Sequence, residues 1–127
     1  MARDYHADIA RHAADADGKW VDNLLSHFDI PGVAGGRQGV ARRVTAHGVC
    51  QVVLIRRLTL LFGMTTAKAV SMAGRLLDDG EQSSLDADFG IELRLERRVF
   101  ERAVDLAINE AVEAVTPARR GRPPTRP

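Results

Sequence analysis

Apolar residues recur at helical spacing in two short stretches at the start of the chain. The first, Asp4–Ala14, has a weak apolar stripe and ends at Asp17-Gly18. The second, Lys19–Phe28, is better defined, since one face of it is apolar: Trp20, Leu24, Leu25 and Phe28. The opposite face carries hydrogen-bonding side chains of the kind that read base edges: Lys19, Asn23, Ser26 and His27.

Two further helices are predicted downstream. Thr45 is a suitable N-cap for a helix over Ala46–Phe62, and Gly63 ends it. Apolar residues cover more than one stripe of this helix, so we expect it at the centre of the core. Thr65 caps a fourth helix, Thr66–Leu77.

The segment between the second and third helices is rich in glycine and arginine. Gly32–Arg43 contains four glycines and three arginines. Because glycine supplies the dihedral angles of tight turns, we expect a β-hairpin here.

The last third of the chain begins with a polar, acidic stretch, residues 79–88, which we interpret as a linker. Apolar and charged residues then alternate from Ile91 to Glu96, as in a half-buried strand, and a long amphipathic helix follows over Arg97–Val115. A single strand and a single helix cannot bury both apolar faces alone, so residues 89–116 predict a homodimerisation element. Its interface would contain Ile91, Leu93, Leu95, Val99, Phe100, Ala103 and Leu106.

Charge is distributed unevenly although the formal net charge is only +1. From Ile30 to Leu77 there is no Asp or Glu, whereas seven basic residues occur there: Arg37, Arg42, Arg43, Arg56, Arg57, Lys68 and Arg75. Like charges on a compact segment repel one another, so folding alone does not account for them. A polyanion does, because each cation that neutralises a phosphate releases condensed counterions. The pattern therefore predicts double-stranded DNA as a partner.

Catalysis and metal binding have little support in the sequence. The four histidines lack metal-ligand spacing, and the glycines fit neither a phosphate-binding loop nor a dinucleotide fingerprint. Cys50 is the only cysteine and lies among apolar residues, so we interpret it as a small buried hydrophobe. We expect no enzyme activity, no cofactor and no small-molecule effector. Neither a signal peptide nor a membrane-spanning run is evident, which predicts a cytoplasmic protein. Its expected partner, DNA, would associate it with the nucleoid.

Several segments in order resemble the MerR-type winged helix-turn-helix family of bacterial regulators. VDNLLSHFDIPGV (residues 21–33) resembles the recognition helix running into the wing, and GGRQGVARRVT (residues 35–45) resembles the wing itself. Residues 46–77 look like the pair of helices that follows. The expected fold is therefore mainly α with a small β wing: a winged helix-turn-helix over residues 1–78, the linker, then the strand and long dimerisation helix.

The resemblance implies a DNA-binding role for two sets of residues. Lys19, Asn23, Ser26 and His27 would lie on the recognition helix, and the wing would contact phosphates or the minor groove through Arg37, Gln38, Arg42 and Arg43. Forked arginine donors suit both targets. The chain has neither the metal-binding cysteine set nor the ligand-binding domain of the family's sensors, so metal or drug sensing is not implied.

The tail, residues 117–127, is basic and proline-rich, and we expect Thr116–Pro127 to be disordered. Within it Arg120, Gly121 and Arg122 precede a proline, as in an AT-hook that lies in the minor groove of A·T-rich DNA.

The sequence leaves three functions open. The first is a dimeric transcriptional regulator that reads a specific site. The second is a nucleoid-associated architectural protein that binds DNA without reading sequence. The third is an antitoxin-like or adaptor dimer whose basic surface binds an acidic protein.

Overall fold

A computed structural model describes residues 4–35, 41–78 and 84–120. In these ranges the chain is mainly helical. The helices in these ranges are α1 (Ala7–Ala14), α2 (Gly18–His27), α3 (Ala46–Phe62), α4 (Thr66–Leu76) and α5 (Arg97–Arg120). The strands are β1 (Asp4–His6), β2 (Val33–Ala34), β3 (Arg43–Thr45), β4 (Ser84–Asp88) and β5 (Ile91–Arg94). They form a three-stranded antiparallel sheet, β1-β3-β2, and a β4–β5 hairpin.

Helix α3 is the centre of the core, as its apolar pattern predicts. Helices α1, α4 and α5 all pack against it. Val49, Val52 and Ile55 on α3 are completely buried. A helix that is apolar around most of its circumference needs neighbours on several sides, and here three other helices supply them.

Capping residues set the ends of three helices, and Thr45, Gly63 and Thr65 are the predicted ones. The side chains of Asp17, Thr45 and Thr65 accept hydrogen bonds from backbone N–H groups at the starts of α2, α3 and α4. Gly63 takes a left-handed conformation (φ 67°) directly after α3. Side-chain oxygens satisfy N–H groups that the first turn leaves without a helical partner, and glycine adopts positive φ without strain.

The first predicted helix begins later than expected. Asp4–His6 is a strand, β1, and the helix starts only at Ala7. The reason is long-range pairing: β1 lies antiparallel to β3, with Tyr5 opposite Val44. His6 then caps α1, because its Nδ1 accepts the N–H of Asp8 at 3.1 Å.

The last third of the chain packs against the rest. Helix α5 lies on α1 and α3, and it buries Val104, Ile108 and Ala111. The strand at Ile91–Arg94 is not alone either, since part of the predicted linker, Ser84–Asp88, is its antiparallel partner β4. The premise that this strand and helix lack partners within the chain was therefore wrong.

The end of the chain also differs from expectation. Helix α5 extends to Arg120, five residues past its predicted end at Val115, so the start of the expected disordered tail is helical. Residues 121–127 lie outside the described ranges.

A close contact between two glycines joins the hairpin to the start of α3. Thr45 N–H donates to the carbonyl of Gly32 at 2.9 Å, and Gly48 N–H donates to Thr45 Oγ1 at 3.1 Å. A Cβ atom on Gly48 would lie 2.7 Å from both the Gly32 carbonyl oxygen and Val44 Cγ1. Gly32 itself has a positive φ of 88°. Side chains at either position would push β3 and α3 apart.

We expect Gly48→Ala to lower the free energy of unfolding by roughly 1–3 kcal/mol, because overpacking here outweighs the gain in helix propensity. Gly74→Ala is the matched control, since Gly74 is also helical and no atom lies within 4 Å of the added methyl group. It should raise stability by about 0.5–1 kcal/mol. Urea unfolding measures both. Equal effects of the two substitutions would contradict the close contact.

Candidate nucleic-acid interface

Helix α2 presents a polar face to solvent, as predicted. Lys19, Asn23, Ser26 and His27 are all exposed. On the other side Val21 and Leu24 are buried, which anchors the helix to the core. Apolar anchoring of one face leaves the opposite one free for contact with another molecule.

Arg42 connects this helix to the strand pair β2–β3. Its Nη2 donates to Ser26 Oγ at 2.8 Å, and its Nη1 lies 3.4 Å from Asp22 Oδ1. The Arg42 side chain is only 21% exposed. Arg42 and Ser26, both predicted to contact DNA, are therefore bound to each other. Their position indicates that they orient the hairpin against α2.

His27 and Asn23 lie one turn apart on the same helix. His27 Nδ1 is 2.8 Å from the backbone carbonyl oxygen of Asn23. A carbonyl oxygen only accepts hydrogen bonds, so Nδ1 carries the proton. In a neutral ring Nε2 is then an acceptor. The pair consequently offers an amide, with donors and an acceptor, beside an imidazole acceptor.

Arg43 is the exposed cation of the central strand. It lies opposite His6 of β1 and Ala34 of β2, on the face of the sheet away from the buried Val44. Side chains alternate between the two faces of a strand, so burial of Val44 directs Arg43 outward. The other predicted wing residues, Arg37 and Gln38, lie outside the described residues.

The AT-hook-like residues add no geometry to this surface. Gly121 and Arg122 lie outside the described ranges. Of Arg120 only the backbone is described, at the end of α5.

A shallow groove separates α2 from the start of α4. Its volume is about 230 Å³, and it is lined by Trp20, Asn23, Leu24, His27, Phe28 and Thr66. The guanidinium of Arg56 stacks on Trp20, 4.8 Å from the ring centroid, which is cation–π distance. From the sequence, Arg56 was one of the basic residues of the acid-free segment and had no assigned partner, because its contact with Trp20 joins residues far apart in the chain.

Three exposed acidic residues lie in or beside α2: Asp17 at its start, Asp22 within it and Asp29 after its end. Asp22 is the acidic residue of α2, and Arg42 pairs with it. The described part of the acid-free segment contains six basic residues: Arg42, Arg43, Arg56, Arg57, Lys68 and Arg75. Since Arg42 offsets the Asp22 carboxylate, the exposed cations Lys19 and Arg43 remain available to a polyanion, although Asp17 and Asp29 lower the positive potential at the two ends of α2.

Cys50 lacks the properties of a nucleophile or metal ligand. Burial raises the pKa of its thiol to about 11, with the nearby carboxylates of Glu101 and Asp105 adding to the shift and Arg97 opposing it. The thiol is therefore protonated at neutral pH, and the thiolate is the reactive form. Among the described residues, histidines, cysteines and carboxylates form no group suited to a metal ion. None of the described helices is long and apolar enough to cross a membrane.

Comparison with known proteins adds no relative: no protein-family model, curated protein or solved structure matches this chain.

Loss of the Arg42 contacts should loosen the hairpin from α2. We expect Arg42→Met to lower the free energy of unfolding by about 1–2 kcal/mol, mostly through the bond to Ser26, since Asp22 is 71% exposed and solvent screens its ion pair. Arg43→Met is the matched control and should change stability by less than about 0.5 kcal/mol. Thermal unfolding of both variants tests this. An equal loss of stability in both variants would show that the contacts of Arg42 with Ser26 and Asp22 do not stabilise the fold.

Proposed function

We propose that the protein is a dimeric DNA-binding transcriptional regulator of the winged helix-turn-helix type, similar to MerR-family regulators. The observation that carries the proposal is the exposed polar face of α2 beside a short antiparallel strand pair that carries the exposed Arg43, with the Asp22 carboxylate of α2 paired to Arg42. The element order β1-α1-α2-β2-β3, with β3 between the other two strands, also suits a helix-turn-helix followed by a wing.

In the proposed mechanism α2 enters the major groove of duplex DNA. Asn23 and His27 face base edges there, because amide and imidazole groups match base donors and acceptors. Lys19 and Arg43 contact phosphates on either side, and Arg37 and Gln38 extend the contact from the wing. Arg42 acts as a positioning residue that holds the wing at a fixed angle to α2.

The chain would act as a homodimer on two half-sites. A two-fold protein matches a palindromic site, and the distance between the two α2 helices sets the half-site spacing. The tail residues Arg120, Gly121 and Arg122 would add contacts in an adjacent A·T-rich minor groove. Such a protein would work on the bacterial nucleoid.

A second candidate function is a nucleoid-associated architectural protein. The contact between Arg42 and Ser26 favours it, since it withdraws one predicted base reader and leaves Asn23 and His27 as the hydrogen-bonding residues of α2 best placed to read sequence. With fewer base contacts, most of the affinity for DNA would come from phosphate contacts, which carry no sequence information.

Selection from random duplexes separates the two functions. A regulator enriches a palindromic or directly repeated site, and Asn23→Ala or His27→Ala changes the enriched bases at one or two positions. Asn109→Ala on the exposed side of α5 is the control and should enrich the parent site. Binding without enrichment would leave the architectural function. Failure to bind any duplex at low salt would exclude both.

Salt dependence tests the phosphate contacts separately. Lys19→Met and Arg43→Met should each weaken binding to all duplexes and reduce the slope of log affinity against log salt by about one. Arg98→Met is the control, since Arg98 is an exposed arginine on α5. A slope that falls equally in all three variants would contradict the assigned surface.

A further inference from the structure

Strand β5 is an edge strand that one copy of the chain leaves open. In the described residues its sheet has two strands, and β4 occupies one side of β5. The other side therefore presents peptide N–H and C=O groups to which a further strand can add.

The sequence of this edge is complementary to itself. Residues 91–95 read Ile-Glu-Leu-Arg-Leu, with the acidic and the basic residue at equal distances from Leu93. Glu92 and Ile91 are exposed, the latter by 62%. The Arg94 side chain is 71% exposed, and its Nε lies 3.6 Å from Glu96 Oε2 in a solvent-screened ion pair. When two such strands run antiparallel about Leu93, Glu92 of each lies opposite Arg94 of the other.

We propose that two copies of the chain associate through their β5 edges, antiparallel and centred on Leu93, into one four-stranded sheet. This inference deepens the dimer in the proposed function by naming its interface. The occupant of the edge is a second copy, because the charge order on β5 fits its own two-fold image.

Hydrogen-bond geometry restricts the register. Along the free edge of β5, the peptide N–H and C=O groups of every second residue point outward. Residues with outward-pointing groups bond to each other, so in a two-fold pair each odd-numbered residue lies opposite an odd-numbered one and each even-numbered residue opposite an even-numbered one. Centring on Glu92 would place two glutamates face to face, and centring on Arg94 would place two arginines face to face. Centring on Leu93 avoids either repulsion and forms two Glu92–Arg94 pairs across the strands. Cross-strand pairs of opposite charge stabilise a sheet.

The same register buries apolar surface that a single copy exposes. Leu93 and Leu95 line an apolar groove of about 250 Å³ together with residues of α3, including Leu61 and Phe62, which are 69% and 60% exposed. Pairing places Ile91 of each copy opposite Leu95 of the other. Ile91 therefore reaches the edge of the other copy's groove, where it loses exposure to water.

The first experiment reverses the charges. We expect the wild type to sediment as a dimer without DNA, and Glu92→Arg or Arg94→Glu alone to weaken dimerisation by about tenfold, since either change places like charges opposite each other twice. An equimolar mixture of these two variants should recover dimerisation as a heterodimer. Glu110→Arg, an exposed acidic residue on α5, is the control and should dimerise like the wild type.

The second experiment tests the register in a Cys50→Ala background. Leu93→Cys should form a disulfide between copies on mild oxidation, because directly opposed residues have Cα atoms about 4.5–5.5 Å apart, within the range that a disulfide spans. Ile91→Cys should not, since its counterpart in the second copy lies roughly 13 Å away along the strands.

A monomeric wild type at 100 µM, or a dimer that neither charge reversal weakens, would overturn the proposal. So would disulfide formation by Ile91→Cys but not by Leu93→Cys. Both experiments omit DNA. A monomeric wild type would remove the dimer from the proposed function as well, whereas the DNA contacts of α2 and the strand pair are tested only by the duplex-binding experiments. Conversely, a confirmed β5 dimer that binds no duplex would refute the proposed function alone.

Discussion

The passage of β3 directly into α3, with Thr45 ending the strand and capping the helix, is the constraint on which the rest depends. Gly32 and Gly48 allow the loop after α2 to lie against the first turn of α3 at a distance that a side chain would prevent. The fully buried Val44, Val49 and Val52 follow one another across this junction. The sheet therefore cannot move relative to the core without exposing apolar surface.

The candidate interface takes its geometry from that junction. With β3 fixed, Arg42 reaches back to Ser26 and Asp22 on α2, and Arg43 points from the opposite face of the strand. Adjacent arginines thus have different roles: one orients the hairpin, and the other remains exposed for a partner. A carboxylate on α2 would repel phosphates, and Arg42 offsets that charge within the fold.

Sequence patterns predicted α2, α3 and α4 to within a residue or two because each has local start and stop residues, such as Thr45, Gly63 and Thr65. The missed elements depend on strand pairing. Asp4–His6 becomes a strand because β3, about forty residues on, pairs with it, and Ser84–Asp88 because it forms a hairpin with the neighbouring β5. Polar composition alone does not show such pairing.

In the candidate site too, the features set by one helix were predictable, and those set by tertiary contacts were not. Exposure of Lys19, Asn23, Ser26 and His27 was predictable from helical periodicity. The bond between Arg42 and Ser26 was not, because it joins side chains sixteen residues apart through the tertiary fold. The stacking of Arg56 on Trp20 is of the same kind.

Hydrogen exchange with and without duplex DNA tests most directly the claim that α2 and the strand pair form the nucleic-acid interface. With a mixed-sequence duplex at low salt, we expect slower amide exchange in residues 18–35 and 41–45 and little change in the exposed parts of α5. Slower exchange confined to residues 84–113, or no change under conditions where the duplex binds, would contradict that claim.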